Sequence, residues 1–236
     1  MTSMNGKRIV LTGAGRAGQV ADLLAQRFAK GGASIVLLGR NASDLDARVA
    51  ELRSLGADAS GFACDLTDPE ATGTAARSAA ERSGGRIDAL VNLAGGFGMS
   101  GNVADSDVAV FHQQIAINLA TAYVATRAFL HFVRAARGSI VFFSSAAALP
   151  TGKVAGLSAY AAAKSAVITL MRAVAAEESK NGVRANAVAP NSIRTATNVA
   201  SMGADAKYVE PDDLANVVGF LCSDDARAVS GQVVGL

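Results

Sequence analysis

The chain has 236 residues, 50% of them hydrophobic and 18% charged, which is ample for a sizeable core and excludes a disordered or collagen-like protein. Its 22 Lys and Arg are interspersed with 20 Asp and Glu for a net charge of +2, so no clustered basic face points to nucleic acid. Cys64 and Cys222 form neither a CxxC pair nor a disulfide framework and read as buried structural thiols. The first residues run straight into an apolar stretch broken by Gly13, unlike a signal peptide. No apolar run approaches the roughly 18 residues of a membrane span. A cytoplasmic protein with no membrane partner is expected.

In chain order, short aliphatic runs alternate with helical patterns. Arg8–Leu11 reads as a strand, followed by Thr12-Gly13-Ala14-Gly15-Arg16-Ala17-Gly18 and a helix with Val20, Leu24 and Phe28 at i, i+4 and i+8. Ser34–Leu38 is a second strand. After Gly39-Arg40-Asn41, Leu45, Val49, Leu52 and Leu55 predict a helix with Ser43 as its N-cap. Ala59–Cys64 leads into Asp65-Leu66-Thr67, and Ala89–Leu93 into Ala94-Gly95. Asp107–Ala136 reads as one long helix, Ser139–Phe143 as the fifth strand and Ser158–Lys180 as another long helix. Arg184–Ala189 follows as the sixth strand, then a helix over Pro211–Leu221, whose proline suits the first turn, and a weaker seventh strand at Gln232–Val234. The runs are mostly apolar rather than alternating, as expected of parallel strands covered on both faces. The alternation predicts an α/β fold: a doubly wound, Rossmann-type parallel sheet of about seven strands with helices on both faces, one domain over 1–236.

Three patterns carry chemistry. Gly13, Gly15 and Gly18 match G-x-G-x-x-G between a strand and a helix, where a dinucleotide pyrophosphate docks against backbone N–H groups and the positive helix end. No Asp or Glu stands between 34 and 41 to take a ribose 2′-OH, whereas Arg40, with Arg16 in the loop, suits the 2′-phosphate of NADP. Tyr160 and Lys164, at i and i+4, share a helix face, so the lysine ammonium can lower the phenol pKa. Ser144-Ser145 follows the fifth strand, and Asn118 lies in the long helix before it. His112 and His131 are isolated and read as packing or surface residues, so no metal site is expected.

With Thr12-Gly13, Asp65, Asn92-x-Ala94-Gly95, Ser145, Tyr160-x-x-x-Lys164 and Pro190 in this order, the chain resembles the short-chain dehydrogenase/reductases, most of all the 3-oxoacyl-carrier-protein reductase-like branch. The resemblance spans Arg8 to Leu236. It implies that Ser145 orients a substrate carbonyl (Ser144 being the fallback), Tyr160 transfers the proton, Lys164 lowers its pKa and contacts the ribose, and Asn118 holds a relay water. It also implies cofactor contacts from Thr12, Gly13, Gly15, Arg16, Gly18, Arg40, Asp65, Leu66, Asn92, Ala94, Gly95, Tyr160, Lys164, Pro190, Ile193 and Thr195. Against the family's Thr-Gly-x-x-x-Gly-x-Gly loop in ungapped register, Ala17 and Gln19 replace glycines, and a left-handed Ala17 would be strained by roughly 1–2 kcal/mol. Asn191 replaces the glycine of the family's Pro-Gly turn, and the substrate lid, about 192–210, is shorter than in typical members.

The resemblance therefore implies an NADP(H)-dependent oxidoreductase, NADP(H) in preference to NAD(H), acting on a small-molecule carbonyl or alcohol and assembling as a homotetramer or dimer. The alternative is a non-catalytic NADP-binding, regulatory or assembly protein on the same fold, with a degenerate phosphate loop.

Overall fold

A computed structural model describes residues 4–236. Seven parallel strands form one sheet in the order β3-β2-β1-β4-β5-β6-β7. They are β1 (Arg8–Thr12), β2 (Ser34–Gly39), β3 (Ala59–Ala63), β4 (Ala89–Asn92), β5 (Ser139–Phe143), β6 (Arg184–Ala189) and β7 (Val233–Gly235). The expected doubly wound α/β sheet is thus observed. Order reverses between β1 and β4, so their carboxyl ends splay the following loops apart and leave the crevice in which open α/β sheets bind ligands.

Both sheet faces are covered, which is why the strands read as mostly apolar rather than alternating runs. Ile9 and Leu11 of β1 pack with Leu24 and Phe28 of α1 (Val20–Lys30), Leu45 and Leu52 of α2 (Ala42–Ser54) and Val218 of α8 (Pro211–Cys222). Val10 joins the opposite layer, with Ala76 and Ala79 of α3 (Pro69–Arg82), Phe129 and Val133 of α5 (Thr121–Ala136) and Met171 of α6 (Ser158–Glu178). Cys64 and Cys222 are buried thiols, as expected, and burial pushes Cys222 up to about 12.

Several local expectations are corrected. The N-cap of α2 is Asn41, whose side chain accepts from the Asp44 amide, while Ser43 donates its hydroxyl to Asn41. The long helix over Asp107–Ala136 is interrupted: α4 (Val108–Gln114) is capped by Asp107, a π-helical turn covers Ile115–Ala120, and α5 follows. The helix at the lid, α7 (Ala196–Met202), is seven residues long and capped by Thr195. Asn191 does not adopt a left-handed backbone; Arg137 is the sole non-glycine residue with positive φ among those described. The turn at Asn191 is held by the Asn191 amide donating to Leu236 O at 2.8 Å. By length and composition the stretch from Ser158 to Asn181 could cross a bilayer, but it carries Lys164 and Arg172, and half of its most apolar 18-residue window is buried inside the protein.

Candidate active site

The carboxyl ends of β4 and β5 and the first turns of α6 converge on Gly95. A Cβ built there would lie 2.5 Å from Asn118 Oδ1 and 3.3 Å from Lys164 Nζ, so only glycine lets the π turn and α6 approach this closely. Asn118 is buried, accepting from the Gly96 amide and donating to the Gly96 carbonyl, both at 3.1 Å, and to Gln114 Oε1 at 3.0 Å. Its side chain is therefore committed to the loop after β4. The wider π turn (π bulges recur at functional sites) permits that placement inside an otherwise α-helical stretch. Gln114, a buried polar residue that the sequence reading passed over, sits on the same side of its helix as Asn118 at i, i+4.

Tyr160 lies on α6 one turn before Lys164, edge-on to Phe97 with ring centroids 5.2 Å apart, and Lys164 Nζ is 5.9 Å from the Tyr160 ring centroid. Burial raises the Tyr160 phenol above its ordinary value, and a hydrogen bond with Ser145 opposes that shift. Ser145 begins a 3₁₀ turn and accepts from the Ala147 amide. Ser144, the fallback, instead donates to Lys164 O at 2.9 Å in the interior, which makes it a tie between β5 and α6. The structure thus brings Ser145, Tyr160, Lys164 and Asn118 together.

Lys164 donates to Phe143 O at 2.9 Å, and burial lowers its ammonium to about 8 from 10.5. Because the unfolded chain holds this proton more tightly than the folded one, stability rises as pH climbs from about 8 toward 10.5. Wild-type protein is expected to gain ~1.5 kcal/mol between pH 8 and 9.5 relative to Lys164→Met, from 1.36 kcal/mol per pKa unit. Urea unfolding of both proteins at the two pH values checks this; parallel profiles would remove the buried ammonium.

Across the crevice, the glycine loop follows β1. Thr12 faces inward, its Oγ1 accepting from the Leu93 and Ala94 amides at 2.9 and 3.0 Å, so it clamps β1 to the loop after β4. A Cβ on Gly13 would come within 2.7 Å of Ala94 Cα. Positive φ falls on Gly13, Gly15 and Gly18, at 71, 148 and 68°, and not on Ala17, so the strain expected of a left-handed alanine is absent. The amides of Gly15, Arg16 and Ala17 have no partner within the described chain, while that of Gly18 donates to buried Asp22 at 2.8 Å. Gln19 donates to Thr197 of α7 at 3.0 Å, bridging the loop to the lid helix across the crevice. Neither Asp22 nor the reach of Gln19 was signalled by sequence, since both sit in an ordinary amphipathic pattern.

The remaining predicted residues line up along the same edge. A Cβ on Gly39 would overlap Ala14 O, because the Ala14 amide donates to Leu38 O at 2.9 Å and lays the loop over the end of β2. Arg40 is exposed beside it. It helps hold the exposed Asp65 carboxyl below the usual range, an effect due mainly to hydrogen bonds from the Thr67 amide and hydroxyl. Leu66 is buried. Asn92 donates to Thr126 at 2.9 Å, but its Oδ1 is buried without a partner. Pro190 and Ile193 follow β6, Pro190 O accepting from the Ala146 amide, and Thr195 caps α7 by accepting from Asn198. The lid is braced internally: Tyr208 donates to Gly203 O at 2.6 Å and lies under the Arg194 guanidinium, 4.7 Å from its ring centroid.

Residues 13–236 match the family described as Enoyl-(Acyl carrier protein) reductase. Among curated proteins, the chain is 35% identical to 2-(S)-hydroxypropyl-CoM dehydrogenase 3 of Xanthobacter autotrophicus, over 94% of this chain and 92% of that one. Among solved structures, a short-chain type dehydrogenase/reductase from Mycobacterium ulcerans superposes with a TM-score of 0.90 at 29% identity, covering 99% of this chain and 89% of that one. A 3-oxoacyl-[acyl-carrier protein] reductase from Brucella melitensis, solved with bound NAD, superposes with a TM-score of 0.85 at 28% identity, covering 100% of this chain and 91% of that one.

Proposed function

The chain belongs to the short-chain dehydrogenase/reductase family, and on that premise we propose that it moves a hydride between NADP(H) and a small carbonyl or alcohol substrate. The convergence of Ser145, Tyr160, Lys164 and Asn118 around Gly95 carries this reading. The crevice fits a nicotinamide dinucleotide. Three unpaired loop amides lie just before the N-terminal end of α1, which suits a pyrophosphate, and Gly13, lacking a Cβ, lets the loop pack directly against Ala94 beside the loop after β4.

When bound, the cofactor supplies or accepts the hydride at the carbonyl carbon. In the reducing direction Ser145 donates a hydrogen bond to the carbonyl oxygen, and Tyr160 gives its phenolic proton to the oxygen as negative charge develops there. Lys164, a buried cation on the same helix face, steadies the resulting phenolate. Asn118 holds the loop after β4 in register, so that Phe97 forms an apolar wall beside Tyr160. Burial keeps the phenol protonated at neutral pH, which favours reduction over oxidation there. The relaxed geometry of Ala17 and the amides left free on the loop favour this reading over a non-catalytic binder.

The choice of NADP(H) rests on two features, at the end of β2 and in the glycine loop. Gly39 has no room for an acidic side chain, and Arg40 and Arg16 supply positive charge. A fluorescence titration tests it: NADPH is expected to bind at least roughly tenfold more tightly than NADH, about 1.4 kcal/mol, and Arg40→Ala to bring the two together. Equal affinities in the unaltered protein would overturn the preference. The same reading includes a cytoplasmic setting and an assembly of two or four copies. Exposed Val108, Phe111 and Tyr123 along α4 and α5 support the assembly.

A further inference from the structure

At the end of the sheet away from Tyr160, the amino ends of β5 and β6 open onto a cavity of about 790 Å³, within the range of small-molecule sites. Lys7, Arg137, Arg172, Arg184 and Arg227 line it together with two carboxylates, Asp88 and Asp224. Five cations against two anions leave three positive charges in one cavity, more than the +2 of the whole chain. The protein outside the cavity is thus slightly acidic.

Part of this charge is already engaged. Lys7 Nζ donates to Asp224 Oδ1 at 2.8 Å, Arg184 donates to the carbonyls of Val229 and Ser223, and Asp88 accepts from the Arg8 amide. The guanidiniums of Arg137, Arg172 and Arg227 have neither a hydrogen bond nor an ion pair among the described residues. Arg137 adds an independent observation. It occupies the position after α5 with φ 53, where glycine is the ordinary choice. Its guanidinium lies across Gly182, whose Cβ, if built, would be 2.7 Å from Arg137 Nε. The chain therefore keeps a strained arginine on the cavity wall, with a glycine opposite that leaves it room.

We propose that this cavity binds a compact polyanion, a small molecule carrying two or more phosphate or carboxylate groups, through Arg137, Arg172 and Arg227. Planar guanidinium forks match the paired oxygens of such groups. The cofactor crevice lies at the other end of the sheet, so the inference is independent of the proposed reaction.

Calorimetric titration with sodium pyrophosphate, and separately with citrate, tests it at fixed ionic strength, with and without NADPH. Saturable sub-millimolar binding is expected in both states, weakened roughly tenfold or more by Arg172→Ala combined with Arg227→Ala. Arg137→Gly is expected to weaken binding too while raising the melting temperature, because it relieves the left-handed arginine; misfolding cannot produce that pair of changes. Absence of saturable binding overturns the proposal. So does affinity that all these variants retain; if NADPH also abolishes it, the anion sits on the glycine loop instead. If NADPH fails to bind, the reaction reading is in question while these outcomes stay readable.

Discussion

Tyr160→Phe is expected to lower kcat for carbonyl reduction by about 10²–10⁴-fold, the contribution typical of a positioned general acid, while leaving NADPH affinity within roughly a factor of two. Only the hydroxyl is removed. The phenyl ring keeps its edge contact with Phe97 and its place near Lys164, so packing and the glycine loop are untouched. The pH dependence should carry the same signature. Because burial raises the phenol, reduction should hold across neutral pH and fall toward alkaline pH, while oxidation should rise. Steady-state kinetics in both directions, with an NADPH titration of the variant, give the answer; turnover within tenfold of wild type would remove Tyr160 from the proton-transfer step.

What sequence could and could not show divides along physical lines. Strands β5 and β6 match their expected bounds residue for residue, because a strand buried on both faces is mostly apolar rather than alternating, and Asn186 of β6 is the one polar residue inside either run. Helix α3 escaped notice since its inward face is Thr72, Ala75, Ala76, Ala79 and Ala80, small residues with little hydrophobic contrast. The π turn was invisible because one extra residue per turn barely disturbs an apolar pattern over Ile115–Ala120. In the catalytic set, residue types and order were legible from local motifs. The commitments of Asn118 to Gly96 and of Ser144 to Lys164 were not, being contacts between segments distant in the chain. The glycine loop shows the limit most clearly. An ungapped register placed a left-handed residue at Ala17, whereas the chain places it one residue later, at Gly18, and starts α1 at Val20.

That displaced loop makes Gly39→Asp the substitution with the largest expected effect on cofactor binding. Read from sequence, it should turn an NADP site into an NAD site by supplying the carboxylate that takes a ribose 2′-OH. In the fold, the new Cβ would overlap Ala14 O, and the loop cannot simply lift, because Ala14 is tied to Leu38 O at 2.9 Å and the Leu45 side chain closes the space behind at 3.5 Å. Overpacking of this kind costs about 1–3 kcal/mol, and it falls on the segment whose free amides would hold the pyrophosphate. Gly39→Asp is therefore expected to weaken NADPH and NADH alike by about 100-fold, near 2.7 kcal/mol, with no gain for NADH. Arg40→Ala, which disturbs no backbone, should weaken NADPH alone. Fluorescence titrations of both variants, with circular dichroism to confirm folding, separate the two effects. Tighter NADH binding by Gly39→Asp would mean that the loop yields at little cost and that charge, not space at Gly39, sets the cofactor.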